Sequence, residues 1–328
     1  MTVQITILGL GKIGSSVGLA LSDELKQVIR VGHDVDHQTA QASQKMGAVD
    51  KVERNLFKAI EGTDILVLAI PVDQVIETLD LVKNDLREDT VILDMAPIKQ
   101  TTIEWVDANL PEKVFYLSMM PTINANLFDQ CATGIEAANK DLFKKSYMVI
   151  ASPKRTESDA ISLASNLAMM LGAAPFYADG MESDGLATGS HVVPQLIAAA
   201  MMNSLSKQSG WLEGRKVAGH NFYHNTLPLL HLDDKVRLGE SIIHNQENVV
   251  RQLDLFIQEL IEQRDALKEK DLESLAKILE NARDERDIWL SRRTENNWEV
   301  SKSDVTMPSA KDMFGQLFGL GKRRKEKR

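Results

Sequence analysis

The stretch QITILGLGKIGSSVGLAL, residues 4–21, decides the fold. Residues 4–8 form a short apolar run with β-branched side chains, the pattern of a buried strand. The run stops at Gly9, and residues 15–25 carry the periodicity of a helix. Between the two, Gly9, Leu10, Gly11, Lys12, Ile13 and Gly14 make a G-x-G-x-x-G turn in which each glycine has its own task. Gly9 allows the tight turn, Gly11 lets the backbone approach a pyrophosphate, and Gly14 lets helix and strand pack closely. A pyrophosphate in this turn would meet the free N–H groups and the positive dipole end of the helix. Asp34 completes the motif, twenty residues beyond Gly14 at the end of a second strand over 28–33. A carboxylate there accepts hydrogen bonds from ribose hydroxyls and repels a 2′-phosphate. Val35, Asp36 and His37 follow it with no arginine among them, so NAD is expected in preference to NADP.

Outward from this motif, further strands are expected at 64–70, 90–94, 114–118, 147–151 and 174–177, with a helix over 158–171 between the last two. Strands alternating with helices predict an α/β Rossmann-type doubly wound parallel sheet, covered by helices on both faces. Beyond residue 180 the strand signal fades. Val249, Leu253, Phe256 and Leu260 recur at helical spacing, with Ile257 and Ile261 beside them, and predict an all-α C-terminal domain. The expected division is a dinucleotide-binding domain over 1–180, a helical substrate and dimerisation domain over 181–298, and a linker with a basic amphipathic tail over 299–328. The long amphipathic segments suit a homodimer interface as well as an intrachain bundle.

A chain of 328 residues with 43% hydrophobic content can fill two cores. Its net charge of −9 argues against general nucleic-acid binding. There is no apolar run near the roughly eighteen residues that cross a bilayer, and no basic or cleavable leader follows Met1. A cytoplasmic protein is expected. The single cysteine, Cys131, has no partner for a disulfide or a metal cluster and reads as a small buried apolar side chain. The tail is opposite in sign to the rest, since residues 322–328 (KRRKEKR) hold six basic residues and one acidic. Phe314, Leu317 and Phe318 precede it at i, i+3, i+4 spacing, a combination suited to an anionic membrane surface or a partner groove through 313–328. Glycines at 315, 319 and 321 weaken that helix and favour a disordered tail.

Over residues 3–260 the chain resembles the prephenate and arogenate dehydrogenase family, enzymes of tyrosine biosynthesis. The resemblance is carried in order by GLGKIGSSVGLAL, by Gly47-Ala48-Val49-Asp50, by Ala69-Ile70-Pro71-Val72, and by residues 94–99 (DMAPIK). It continues through Asp141-Leu142-Phe143, Ser152-Pro153, Leu171-Gly172-Ala173 and residues 184–201 (DGLATGSHVVPQLIAAAM). It implies a Rossmann domain with a helical dimerisation domain, a small-molecule substrate, and Ala69, Ile70 and Pro71 beside the cofactor. It also implies a chemistry in which a base accepts a ring hydroxyl's proton, hydride leaves the same carbon, and loss of CO2 aromatises the ring.

The family's base is a histidine after the fifth strand of this pattern, whereas this chain reads Leu117-Ser118-Met119-Met120-Pro121-Thr122-Ile123-Asn124. Pro97 or Ile98 stands where the family has a serine, and Gln195 where it has a histidine. Phe222-Tyr223-His224-Asn225-Thr226-Leu227 falls where it has substrate-binding arginines. His191, Lys99 and Ser118 are the candidates for proton transfer and substrate activation, and Asn124 and Gln195 for substrate binding. Each has a plainer reading: a packing histidine, a surface ion pair, or, for Asn124, a helix cap next to Ala125. His220, His224 and His231 are spaced for a metal but lack a matching carboxylate or cysteine, so no metal is expected. Two other readings fit the same residues: a dehydrogenase of a different small hydroxy or oxo acid, and a catalytically silent NAD-binding sensor.

Overall fold

The computed structural model describes residues 2–22, 28–130, 132–231, 239 and 242–296. Cys131, the side chain of His231 and the whole of 297–328, including the basic cluster, lie outside the described residues.

Eight strands form one sheet: β1 (Val3–Leu8), β2 (Val28–His33), β3 (Lys51–Val52), β4 (Ile65–Leu68), β5 (Val91–Asp94), β6 (Phe115–Pro121), β7 (Ser146–Ala151) and β8 (Ala173–Tyr177). Their order is β3-β2-β1-β4-β5-β6-β7-β8. The strands are apolar in both alternating sets because the sheet is covered twice. Ile5, Ile7, Val67, Leu93 and Leu117 point to one face, against Val17 and Leu21 at the glycine-turn helix and Leu163 and Leu167 of Ser158–Met170. Leu8, Leu66, Leu68, Ile92 and Tyr116 point to the other, against Val75 and Leu79 of Val72–Val82 and Ile103 and Val106 of Gln100–Asn109. This is the doubly wound Rossmann architecture, and its order reverses between β1 and β4.

Two features differ from the expected sheet. β3 is a two-residue edge strand, too short to give a periodic signal. β7 runs antiparallel to β6, with Ser118 opposite Ala151 and Pro121 opposite Met148. Its cause is the connection over 122–145. Among its described residues that segment holds only the 3-10 turns Ala125–Leu127 and Gly134–Ala137, so it returns to the end of the sheet it left instead of crossing a face. Ser158–Met170 then makes a true crossover, and β8 is parallel to β7.

Helices follow β8: Gly180–Ala187, Val193–Ser206, Trp211–Val217, His220–Thr226, Gln246–Glu269 and Leu272–Glu295. Gly180–Ala187 and Val193–Ser206 are joined through a π-helical turn, Thr188–Val192. Pro194 has no N–H to give to the residue 190 carbonyl, and Thr188 and Ser190 turn their hydroxyls back onto the carbonyls of Asp184 and Leu186 at 2.7 Å each. No helix among the described residues is long and apolar enough to cross a membrane.

Candidate active site

At the switch point the three glycines occupy the positions their chemistry requires. Gly9 has φ +85°, and a Cβ there would lie 2.4 Å from the Ala69 carbonyl oxygen, since the β1 and β4 ends touch. A Cβ on Gly14 would lie 1.9 Å from the Gly9 oxygen, whereas one on Gly11 would meet nothing within 4 Å. The first side is closed by packing and the second is open to a ligand. The helix Lys12–Ala20 starts from Gly11 with no capping side chain, so its first N–H groups remain available to an anion.

Asp34 follows β2, and its Oδ2 accepts from the Leu10 N–H at 2.7 Å while Oδ1 accepts from Asp36 N–H at 2.8 Å. Each oxygen keeps a second lone pair for a ribose hydroxyl. Ser15 Oγ donates to the Leu10 carbonyl at 2.7 Å, so both backbone groups of Leu10 are spent on bracing the turn and its side chain is buried. Leu10 thus shapes the site without offering a donor to a ligand.

A cavity of about 520 Å³ opens beside this turn. Gly11, Lys12 and Ile13 form one wall, residues 69–72 after β4 and 95–97 after β5 form the floor, and Thr133, Gly134 and Leu230 close the far side. Ala69, Ile70 and Pro71 are therefore cavity residues. Thr133, Gly134 and Leu230 had no signal in the sequence, because a connection or a short 3-10 turn that folds over a cleft carries no motif of its own.

The floor is held from beneath by a buried polar cluster. Lys99 has no exposed surface, and its Nζ lies 2.9 Å from Asp94 Oδ2 and donates to the Asp94 carbonyl at 3.0 Å. Tyr116 donates its hydroxyl to the same Oδ2 at 2.6 Å, and Asp94 Oδ1 accepts from Ala96 N–H at 2.9 Å. Burial pushes the Lys99 ammonium pKa down against the pull of Asp94, and burial together with Asp94 pushes the Tyr116 phenol up. The expectation of Lys99 as a proton-transfer group facing the cleft is corrected here, since its charge is committed to Asp94 in the interior. Its contacts hold Asp94, the residue that leads into the 95–97 backbone. From the helical region Asp184 reaches in and accepts from the N–H groups of Lys99 (2.6 Å) and Gln100 (3.1 Å), capping Gln100–Asn109 from 84 residues away. Asn245 in turn donates to Thr188 Oγ1 at 2.7 Å and to the Asp184 carbonyl at 3.3 Å, so the helical region and the sheet share one polar joint.

The remaining expected residues separate. Ser118 is fully buried with its Oγ unpartnered, which places it in the interior instead of at the cleft surface. Asn124 accepts from Asn126 N–H at 3.1 Å and donates to the Asp141 carbonyl at 3.2 Å, so both ends of its amide are engaged in capping the turn Ala125–Leu127. Gln195 carries a buried Oε1 with no protein partner. His191 sits in the π-helical turn, one residue before Val192, which packs with Ile98 and the cavity residue Val72. Its Nδ1 lies 2.8 Å from Ser190 Oγ. The His220 and His224 rings lie 4.1 Å apart, tilted at 51° to each other, and among the described residues no three His, Cys, Asp or Glu side chains converge as a metal site.

One residue absent from the expected set anchors the far end. Arg293, near the end of Leu272–Glu295, is buried and donates to the Lys145 carbonyl (3.0 Å), Thr122 Oγ1 (3.0 Å) and the Ile123 carbonyl. It also lies over the Phe128 ring, which stacks on Trp289 at 6.0 Å.

Comparison with known proteins agrees with this arrangement. The family model for "Prephenate dehydrogenase, nucleotide-binding domain" matches residues 17–176. Prephenate dehydrogenase of Bacillus subtilis (strain 168) is 22% identical over 290 residues, covering 88% of this chain and 76% of that one. The structure of prephenate dehydrogenase from A. aeolicus in complex with hydroxyphenyl propionate and NAD+ superposes with a TM-score of 0.75 at 19% identity, over 87% of this chain and 98% of that chain. Synechocystis arogenate dehydrogenase gives a TM-score of 0.66 at 18% identity, over 87% and 99%. Strand order, glycine turn and acid define a dinucleotide-binding α/β protein of Rossmann type with a helical C-terminal region. Residues 17–176 match the nucleotide-binding domain of prephenate dehydrogenases, and over most of its length the chain is similar to enzymes of the prephenate and arogenate dehydrogenase type.

Proposed function

We propose that this chain is an NAD-dependent dehydrogenase of the prephenate and arogenate type. The observation that carries the reading is the cavity at the β1/β4 switch point, walled by the glycine turn, with Asp34 bracing that turn at the end of β2. NAD is favoured over its 2′-phosphate because Asp34 would face that phosphate with like charge. When bound, the nicotinamide supplies the hydride acceptor.

The protein must then take a proton from the hydroxyl on the carbon that gives up hydride. β6 ends without a titratable group to do so, and His191 is the residue to which we assign this task. Ser190 Oγ has one proton, which it donates to the Leu186 carbonyl, so at the Ser190–His191 contact it is the acceptor. His191 Nδ1 therefore carries the ring proton, and the Nε2 lone pair is left as the base. His191 keeps a solvent-exposed edge, and desolvation by the protein around the ring lowers its pKa, in the direction that favours the base form. Gln195 Oε1, one turn further along, is an acceptor for a substrate donor. Lys99 and Asp94 act through the backbone of 95–97, holding the floor against which the reacting groups meet.

A homodimer through the helical region completes the reading. Val250, Ile257, Leu260 and Leu267 are exposed on Gln246–Glu269 at intervals of seven, three and seven, the seam of a two-stranded coiled coil.

Calorimetric titration with NAD+ and NADH, followed by a hydride-transfer assay on prephenate, arogenate and small hydroxy acids, tests the reading. Micromolar NADH binding, weakened at least tenfold in Asp34→Ala, and turnover of prephenate or arogenate are expected. Binding without turnover of any of these would overturn the enzyme reading. Turnover of a hydroxy acid alone would overturn the substrate class.

A further inference from the structure

We infer that Lys12 is a charged contact to the cofactor's pyrophosphate, adding an ammonium to what the backbone of the glycine turn offers; this rests on the dinucleotide reading of the cavity. Among the described residues that line the cavity, Lys12 is the one charged side chain; the others are glycines, apolar residues and Thr133. Lys12 is half-buried and has no ion-pair partner among the described residues. The loop that carries Thr133 and Gly134 is tied to the same helix, since Asn139 N–H donates to Ser16 Oγ at 2.9 Å. Burial there lowers the Lys12 pKa. An ammonium taken partly out of water with no anion beside it is a costly arrangement, one that an anionic ligand relieves.

Position selects which anion. Lys12 is the first residue of Lys12–Ala20, immediately after the open side of Gly11. Helical side chains lean toward the N-terminus of their own helix, so a lysine at this position extends toward the mouth where the uncapped N–H groups converge. The dianionic pyrophosphate belongs at that mouth. A substrate carboxylate would belong instead near the nicotinamide, over the floor formed by 95–97. The contact is a point charge without the fork geometry of an arginine, so its strength depends on charge and on salt.

The test is direct binding, read without catalysis. NADH is titrated by fluorescence and ADP-ribose by calorimetry, each at several salt concentrations, against the unaltered chain, Lys12→Met and Lys12→Arg. Lys12→Met is expected to weaken both ligands about tenfold and to flatten their salt dependence, as loss of one charge-assisted contact does. Lys12→Arg is expected to keep most of the affinity and the salt dependence, which separates lost charge from a disturbed helix start. If the unaltered chain binds NADH and Lys12→Met binds both ligands with the same affinity and salt dependence, the role of Lys12 is overturned while the dinucleotide reading stands. If the unaltered chain binds neither ligand, the dinucleotide reading itself is overturned.

Discussion

Ser190 and His191 show how one hydroxyl proton decides the chemistry of its neighbour. The serine hydroxyl turns back onto the Leu186 carbonyl, and in the proposed mechanism this leaves His191 Nε2 as the base. The lowered pKa gives the sign of the pH dependence. A base is active above its pKa, so the acid limb of kcat/KM is expected to fall below the ordinary histidine range, with activity lost as pH drops through it. His191→Asn is expected to lower kcat by about 10² or more and to abolish that limb. An unchanged acid limb in the variant would remove His191 from the mechanism. Glycines 9, 11 and 14 and Asp34 were legible in the sequence because turn, helix start and acid sit at fixed spacing along one βαβ unit. Lys99 was legible as a position and misleading as a role. Nothing local to the residues 94–99 announces that Tyr116 and Asp184 close over them.

At the level of elements, the last long helix is fastened to the connection after β6 by Arg293. Three of the guanidinium's hydrogen bonds go to that connection and to Lys145, with no carboxylate among the groups they reach. Burial lowers the Arg293 pKa, so its charge is held by backbone dipoles and by Phe128. Arg293→Met leaves the Ile123 and Lys145 carbonyls without these donors and is expected to cost about 2–4 kcal/mol in urea unfolding. A cost below about 0.5 kcal/mol, the level of an ordinary surface change, would show that the helix is held elsewhere. The same connection explains the reversed β7. The sequence showed strands at 114–118 and 147–151, but direction depends on which end of the sheet the chain returns to. That is set by a loop with two short 3-10 turns and no periodicity to read.

For the whole molecule, the seam of Val250, Ile257, Leu260 and Leu267 predicts a dimer. Sedimentation equilibrium is expected to give twice the chain mass at micromolar concentration. Leu260→Glu, which puts a charge into a two-stranded apolar seam, is expected to shift the protein to monomer and leave NADH affinity within about twofold, since the glycine turn is built within one chain. A monomeric unaltered chain would remove the dimer from the proposal. Periodicity identified these helices, because an amphipathic stripe repeats every few residues whatever covers it.

Seven of the eight strands, the dinucleotide turn and the helical character of the second half followed from the amino-acid order alone, since each is written in local periodicity or in residues held at fixed spacing on one unit. Tertiary structure alone decided that Asp184 caps a helix 84 residues away, that Lys99 is a buried partner of Asp94, and that Lys12 lines the cavity as its one charge among the described residues. These are long-range facts. Charge is visible in a sequence, but whether a charge is paired, buried or open to a ligand depends on what the fold brings beside it, and burial changes its energy more than its neighbours along the chain do.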